Sequence, residues 1–114
     1  MVTDINREEL RQKLDHPKKS VLLEALAPED YRHAHLPGAL NMPSDQVRTL
    51  AHELIPRPDM EVIVYCAGPE CHSSEKVAQL LLTMGYSNVR LYKGGKRDWI
   101  EAGLPMVEGD QRAA

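Results

Sequence analysis

Glu61-Val62-Ile63-Val64-Tyr65-Cys66, followed by Ala67-Gly68-Pro69-Glu70-Cys71-His72-Ser73-Ser74, is the stretch on which the fold turns. Consecutive β-branched residues without internal glycine or proline mark a strand, and a nearly continuous apolar run marks one covered on both faces. It is expected to be central. The polar loop after Cys66 leads into Val77, Leu80, Leu81 and Met84, whose spacing lays one apolar stripe along a helix closed by Gly85. In an open parallel sheet, sites lie beyond the carboxyl ends of the strands. Cys66 therefore enters a loop whose N–H groups, with the positive helix end beyond them, can surround its sulfur. Such a setting predicts a nucleophilic cysteine with a lowered pKa.

Working outward, the same alternation recurs. On the N-terminal side, Asn6 and Glu9 form a capping-box pattern with Ile5 and Leu10 as a hydrophobic staple, predicting a helix from Arg7 to Asp15 that Pro17 stops. Ser20 to Ala25 reads as a buried strand and Pro28 to Tyr31 as one helical turn with proline at its first position. Arg32 to Gly38 is irregular, and Leu40-Asn41-Met42 is a short strand. Val47, Leu50, Ala51 and Leu54 mark a helix capped by Ser44 or Asp45 and ended by Pro56 and Pro58. On the C-terminal side come a strand over Val89 to Tyr92, a Gly94-Gly95 turn, and a short helix from Arg97 to Ala102 before Gly103 and Pro105. Strands separated by helices predict an α/β fold on a parallel sheet.

The chain has 114 residues and a formal charge of −3, which fits one domain over 1–114 and argues against nucleic acid or an anionic membrane as partner. The charged start, Met1 to Leu10, has no apolar signal core, and no run approaches the length of a membrane span, so a cytoplasmic protein is expected. The two cysteines, Cys66 and Cys71, are too few for a disulfide-stapled scaffold and close enough to suggest chemistry.

Four segments in order resemble the single-domain rhodaneses, a family of sulfurtransferases. Leu22-Leu23-Glu24-Ala25-Leu26 with Glu29-Asp30-Tyr31 is similar to the family's "DVR...EY" segment, and His35-Leu36-Pro37-Gly38-Ala39-Leu40-Asn41-Met42-Pro43 to its "HIPGAxNIP" segment. Val64-Tyr65-Cys66 resembles the strand that delivers the nucleophile. Tyr92-Lys93-Gly94-Gly95-Lys96-Arg97-Asp98-Trp99 with Ala102-Gly103-Leu104-Pro105 is similar to its "GGxxxW...GxP" ending. The resemblance implies a three-layer α/β/α fold around a five-stranded parallel sheet. It implies that Cys66 takes sulfane sulfur from thiosulfate, a small persulfide or a protein persulfide, and passes it to a thiol acceptor without a cofactor. Ala67, Gly68, Pro69, Glu70, Cys71, His72 and Ser73 would form the binding loop, and its C-x-G-P-x-C pattern resembles a branch with a longer loop and a second cysteine. His35, Gly94, Gly95, Lys96, Arg97 and Trp99 are candidates for the substrate face.

The chain departs from the family at several points. The loop lacks the arginine of "CxxGxRS", Glu24 and Leu26 replace the aspartate and arginine of "DVR", and Ala34 stands where a glycine precedes the histidine. Other readings accompany the sulfurtransferase one. Cys71 could resolve Cys66 as a disulfide, making a redox-sensing or non-catalytic domain. Phosphatase or arsenate-reductase chemistry would need an arginine fork where His72 stands. Cys66, Cys71 and His72 lack metal-site spacing, so no metal is expected. Cys66 itself could be an inert core residue. His33 and His35 could pair as ligands, or one could steady the turn before Pro37. Trp99 with Tyr92 is either a substrate wall or a cover on the core. The cluster of Lys93, Lys96 and Arg97 is either solvated surface or the positive field that the loop lacks.

Overall fold

The computed structural model describes residues 1–110. The elements are β1 (Thr3–Asp4), α1 (Arg7–Leu14), β2 (Ser20–Glu24), α2 (Pro28–His33), β3 (Leu40–Asn41), α3 (Val47–Leu54), β4 (Glu61–Tyr65), α4 (Ser73–Thr83), β5 (Val89–Tyr92) and α5 (Gly95–Glu101). The five strands make one sheet in the order β1-β5-β4-β2-β3, and every pairing is parallel. β4 is its middle strand.

Two-residue alternation along β4 divides the core. Val62, Val64 and the following Cys66 join Val47, Ala51, Val77, Ala78 and Leu81 of α3 and α4 on one face. Ile63 and Tyr65 join Leu10, Tyr31 and Trp99 of α1, α2 and α5 on the other. The result is the three-layer α/β/α arrangement. Burying each such aliphatic side chain stabilises the fold by about 1.5–3 kcal/mol.

Local signals explain most boundaries. Glu9 N–H donates to Asn6 Oδ1 at 2.8 Å, but the reciprocal half of the capping box is missing because the Glu9 carboxylate instead meets Arg90 at 3.1 Å. At the end of α4, Gly85 N–H donates to Leu82 O and Tyr86 N–H to Leu81 O, with Gly85 at φ 101°; this is the Schellman closure that a glycine there predicts.

Some expectations need correction. α3 starts after Gln46, with no side-chain cap, rather than from Ser44 or Asp45. α2 runs on to His33 instead of stopping after one turn. α5 begins at Gly95, so of the expected glycine turn only Gly94 stays in a turn, with Lys93, and Gly95 opens the helix. The edge strand β1 lacks an apolar signature because both its residues are exposed; its pairing with Arg90 and Leu91 of β5 defines it.

Candidate active site

β4 ends at Tyr65 and delivers Cys66 to the loop before α4. Proline favours the second position of a tight turn, and here Cys71 N–H donates to Gly68 O at 3.0 Å across Pro69 and Glu70. That turn folds the loop back on itself. Cys66 Sγ thereby comes within donating reach of Cys71 O at 3.4 Å and of Ser74 Oγ, in the first turn of α4, at 3.2 Å, its single S–H serving one acceptor at a time. From below, α5 fixes the loop: Lys96 N–H donates to Cys66 O at 3.0 Å and Arg97 N–H to Ala67 O at 2.9 Å.

The electrostatics correct the expectation of a lowered Cys66 pKa. Burial pushes the Cys66 thiol up, and its side-chain hydrogen bond to the Cys71 thiol adds to this, while the Ser74 hydroxyl and N–H pull the other way. Cys71 moves in the opposite direction. Burial again disfavours its anion, but the Cys66 thiol, the N–H groups of Ala67 and Ser73 and the Ser73 hydroxyl outweigh that cost and bring its pKa below the ordinary value. The two thiols thus shift each other in opposite directions: their contact raises the pKa of Cys66, which is also the more deeply buried, and lowers that of Cys71. Both cysteines are free thiols.

The sequence profile of the rhodanese-like domain matches residues 6–102. The chain belongs to that family. It is 30% identical over 107 residues to a sulfurtransferase of Allochromatium vinosum, covering 94% of this chain and 96% of that one. It is 33% identical over 100 residues to a thiosulfate:glutathione sulfurtransferase of Saccharomyces cerevisiae, covering 77% and 70% respectively. A thiosulfate sulfurtransferase of Pseudomonas aeruginosa superposes with a TM-score of 0.83 at 28% identity over 98% of this chain, although that is only 21% of its own. The chain likewise spans 51% of the length of a Bacillus subtilis relative that is 30% identical. This rhodanese-like domain thus sits in a family of named sulfurtransferases.

Within the rhodanese-like fold, the candidate residues separate into two groups. Ser73 opens α4, and Ala67 to His72 form the loop that follows Cys66. Glu70, on its outer side, pairs with Arg97 Nη1 at 3.0 Å, and the exposed His72 faces Glu75 at 3.4 Å. Gly95 lies directly against the loop. By contrast, His35 and Trp99 are buried, as the packing alternatives for these two residues expect. His35 is fully buried, stacks on Tyr31 and places Nδ1 2.8 Å from Tyr31 O; His33 is exposed at the end of α2, so the two histidines do not pair as ligands. Trp99 is buried, donates Nε1–H to Pro105 O at 2.8 Å and packs edge-on against Tyr92, as a cover on the core.

The basic cluster splits three ways. Lys93 turns to Asp4 at 3.6 Å, Lys96 goes under the loop to Glu24 Oε2 at 3.1 Å and Asp30 O at 2.9 Å, and Arg97 alone stays beside the loop.

Two residues outside the set of candidate site residues gain a place in the structure. Ser74, in the first turn of α4, is buried and places its hydroxyl 3.2 Å from Cys66 Sγ. Glu24 is the charged end of an apolar run and is fully buried, where Oε1 accepts from Tyr65 OH at 2.7 Å. Burial raises its pKa, with Tyr65 and Lys96 pulling the other way.

Proposed function

We propose that this domain is a sulfurtransferase in which Cys66 carries sulfane sulfur as a persulfide, taken from thiosulfate or a persulfide donor and given to a thiol acceptor. With thiosulfate, the Cys66 thiolate attacks the outer sulfur, the S–S bond of the donor breaks, and sulfite leaves with the bonding pair. An acceptor thiolate then takes the outer sulfur and restores Cys66. The observation that carries this reading is the position of Cys66, at the end of the middle strand and inside a closed loop at the start of α4, in a chain of the rhodanese-like family. Its sulfurtransferase relatives support the same chemistry. The C-x-G-P-x-C loop is read as that of a branch with a second cysteine, and the whole chain as one domain.

Intact-mass spectrometry tests the reading, after exposure to thiosulfate and separately to glutathione persulfide. A gain of about 32 Da that reductant removes, as it removes a persulfide, and that Cys66→Ser abolishes is the expected result. No gain with either donor, or a gain that survives in Cys66→Ser, overturns Cys66 as the carrier; the first outcome leaves a redox-sensing domain as the better reading.

A further inference from the structure

We propose that Cys71 is a second sulfur-bearing thiol, which takes the sulfane sulfur from Cys66 and presents it to the acceptor. The inference rests on the reading of Cys66 as a persulfide carrier and adds the route by which the sulfur leaves. Cys66 is 2% exposed, whereas Cys71, five residues on in the same loop, packs against the core but is only partly buried. An acceptor thiol therefore meets Cys71 before Cys66. The Gly68–Cys71 turn also holds the two residues together, with Cys66 Sγ 3.4 Å from the Cys71 carbonyl oxygen. A sulfur added to Cys66 extends about 2 Å beyond Sγ, the length of one S–S bond, so it remains within the loop that Cys71 closes.

The exchange balances without an oxidant or reductant. The Cys71 thiolate attacks the outer sulfur of the Cys66 persulfide, the S–S bond on Cys66 breaks as the new bond to Cys71 forms, and Cys66 leaves as a thiolate. The persulfide proton passes to Cys66. The products are a Cys66 thiol and a Cys71 persulfide anion. That distribution matches the resting site, where burial favours a neutral Cys66 and the donors of Ala67 and Ser73 favour an anion at Cys71. Attack at the inner sulfur would instead form a Cys66–Cys71 disulfide and expel hydrosulfide. The two chemistries leave different products.

The test loads wild type, Cys71→Ser and Cys71→Ala with glutathione persulfide, follows discharge to glutathione, and maps alkylated sulfur after cleavage at Glu70, which separates the two cysteines. Expected are persulfide on both cysteines of the wild type, and discharge slowed by about tenfold or more in both variants while loading falls by less than about threefold. The proposal is overturned by wild-type discharge in the variants, by equal losses of loading and discharge, by sulfur on Cys66 alone, or by hydrosulfide release with a disulfide. A wild-type protein that takes up no sulfur fails earlier, at the reading of Cys66 itself.

Discussion

Gly95 backs directly onto Cys66: a Cβ at Gly95 would come within 2.5 Å of the Cys66 carbonyl oxygen and 2.8 Å of the Gly68 nitrogen. Both obstacles are backbone, and Gly95 also has φ +63°, so a side chain there meets strain and collision together. The hydrogen bonds from Lys96 and Arg97 to the loop depend on this approach. Gly95→Ala should lower stability by about 1–3 kcal/mol and, by displacing the loop, slow sulfur loading by about tenfold or more. Thermal melts and time-resolved mass spectrometry read the two effects; an unchanged melt with unchanged loading would show that the close approach is not needed.

The Lys96–Glu24 pair lies under the same loop. Glu24 is fully buried and the Lys96 side chain is 13% exposed, so removing the cation strands a carboxylate in the core. Lys96→Met should destabilise the protein by about 3 kcal/mol at pH 7. The sign with pH follows from protonation. The folded-state pKa of Glu24 is already raised by burial and rises further without Lys96, so the penalty is largest at neutral pH and shrinks as pH falls and the buried carboxyl takes up a proton. Denaturant melts at pH 5 and pH 7 check it. A penalty that does not change with pH would mean that packing of the lysine stem, and not charge, is what the substitution removes.

Arg97 is the one cation of the basic cluster left beside the loop, and it is held there by Glu70 at 3.0 Å. A pair this exposed contributes little to folding, so neither Glu70→Gln nor Arg97→Gln should shift the melting temperature. Their effects on an anionic donor should be opposite. Glu70→Gln removes a negative charge and frees the guanidinium, and should lower KM for thiosulfate by about threefold; Arg97→Gln should raise it by a similar factor, both effects fading at about 1 M salt, where the Debye length is only ~3 Å. Equal KM values across the three proteins would place the thiosulfate path away from Arg97.

The middle of this fold is legible in the sequence because its signals are local and strong. Val62, Ile63 and Val64 declare a buried strand whatever surrounds them, and Gly85 stops α4 by its own backbone geometry. Cys66 is legible as a site because strand, loop and helix fix where it stands. What cannot be read depends on pairing across the chain. β1 exists only through its pairing with β5. For His35 and Trp99 the sequence leaves a site role and a packing role open, and their partners, Tyr31 and Pro105, decide for the packing role. Lys93, Lys96 and Arg97 look alike in sequence but reach three different carboxylates. The charge states of the thiols escape the sequence for the same reason, since they depend on the burial of each sulfur and on their contact with each other once the loop is folded.

Ser74 acts on that same charge balance. In the resting thiol form, Cys66 donates to Ser74 Oγ at 3.2 Å; once Cys66 ionises, the hydroxyl turns and donates to the sulfur, which is why it counters the upward push of burial. Ser74→Ala should therefore raise the Cys66 pKa further. With Cys71→Ser as background, so that Cys66 is the only thiol, loading should follow the Cys66 thiolate fraction, which burial still holds down and Ser74 still favours. Adding Ser74→Ala should move that profile to higher pH, slowing loading at pH 7 by about tenfold for every pH unit the profile moves and hardly at all at strongly alkaline pH. The measurement is the loading rate against pH for the two proteins. Profiles that run parallel, separated by the same factor at every pH, would assign Ser74 to holding the loop in place and remove it from control of the Cys66 charge.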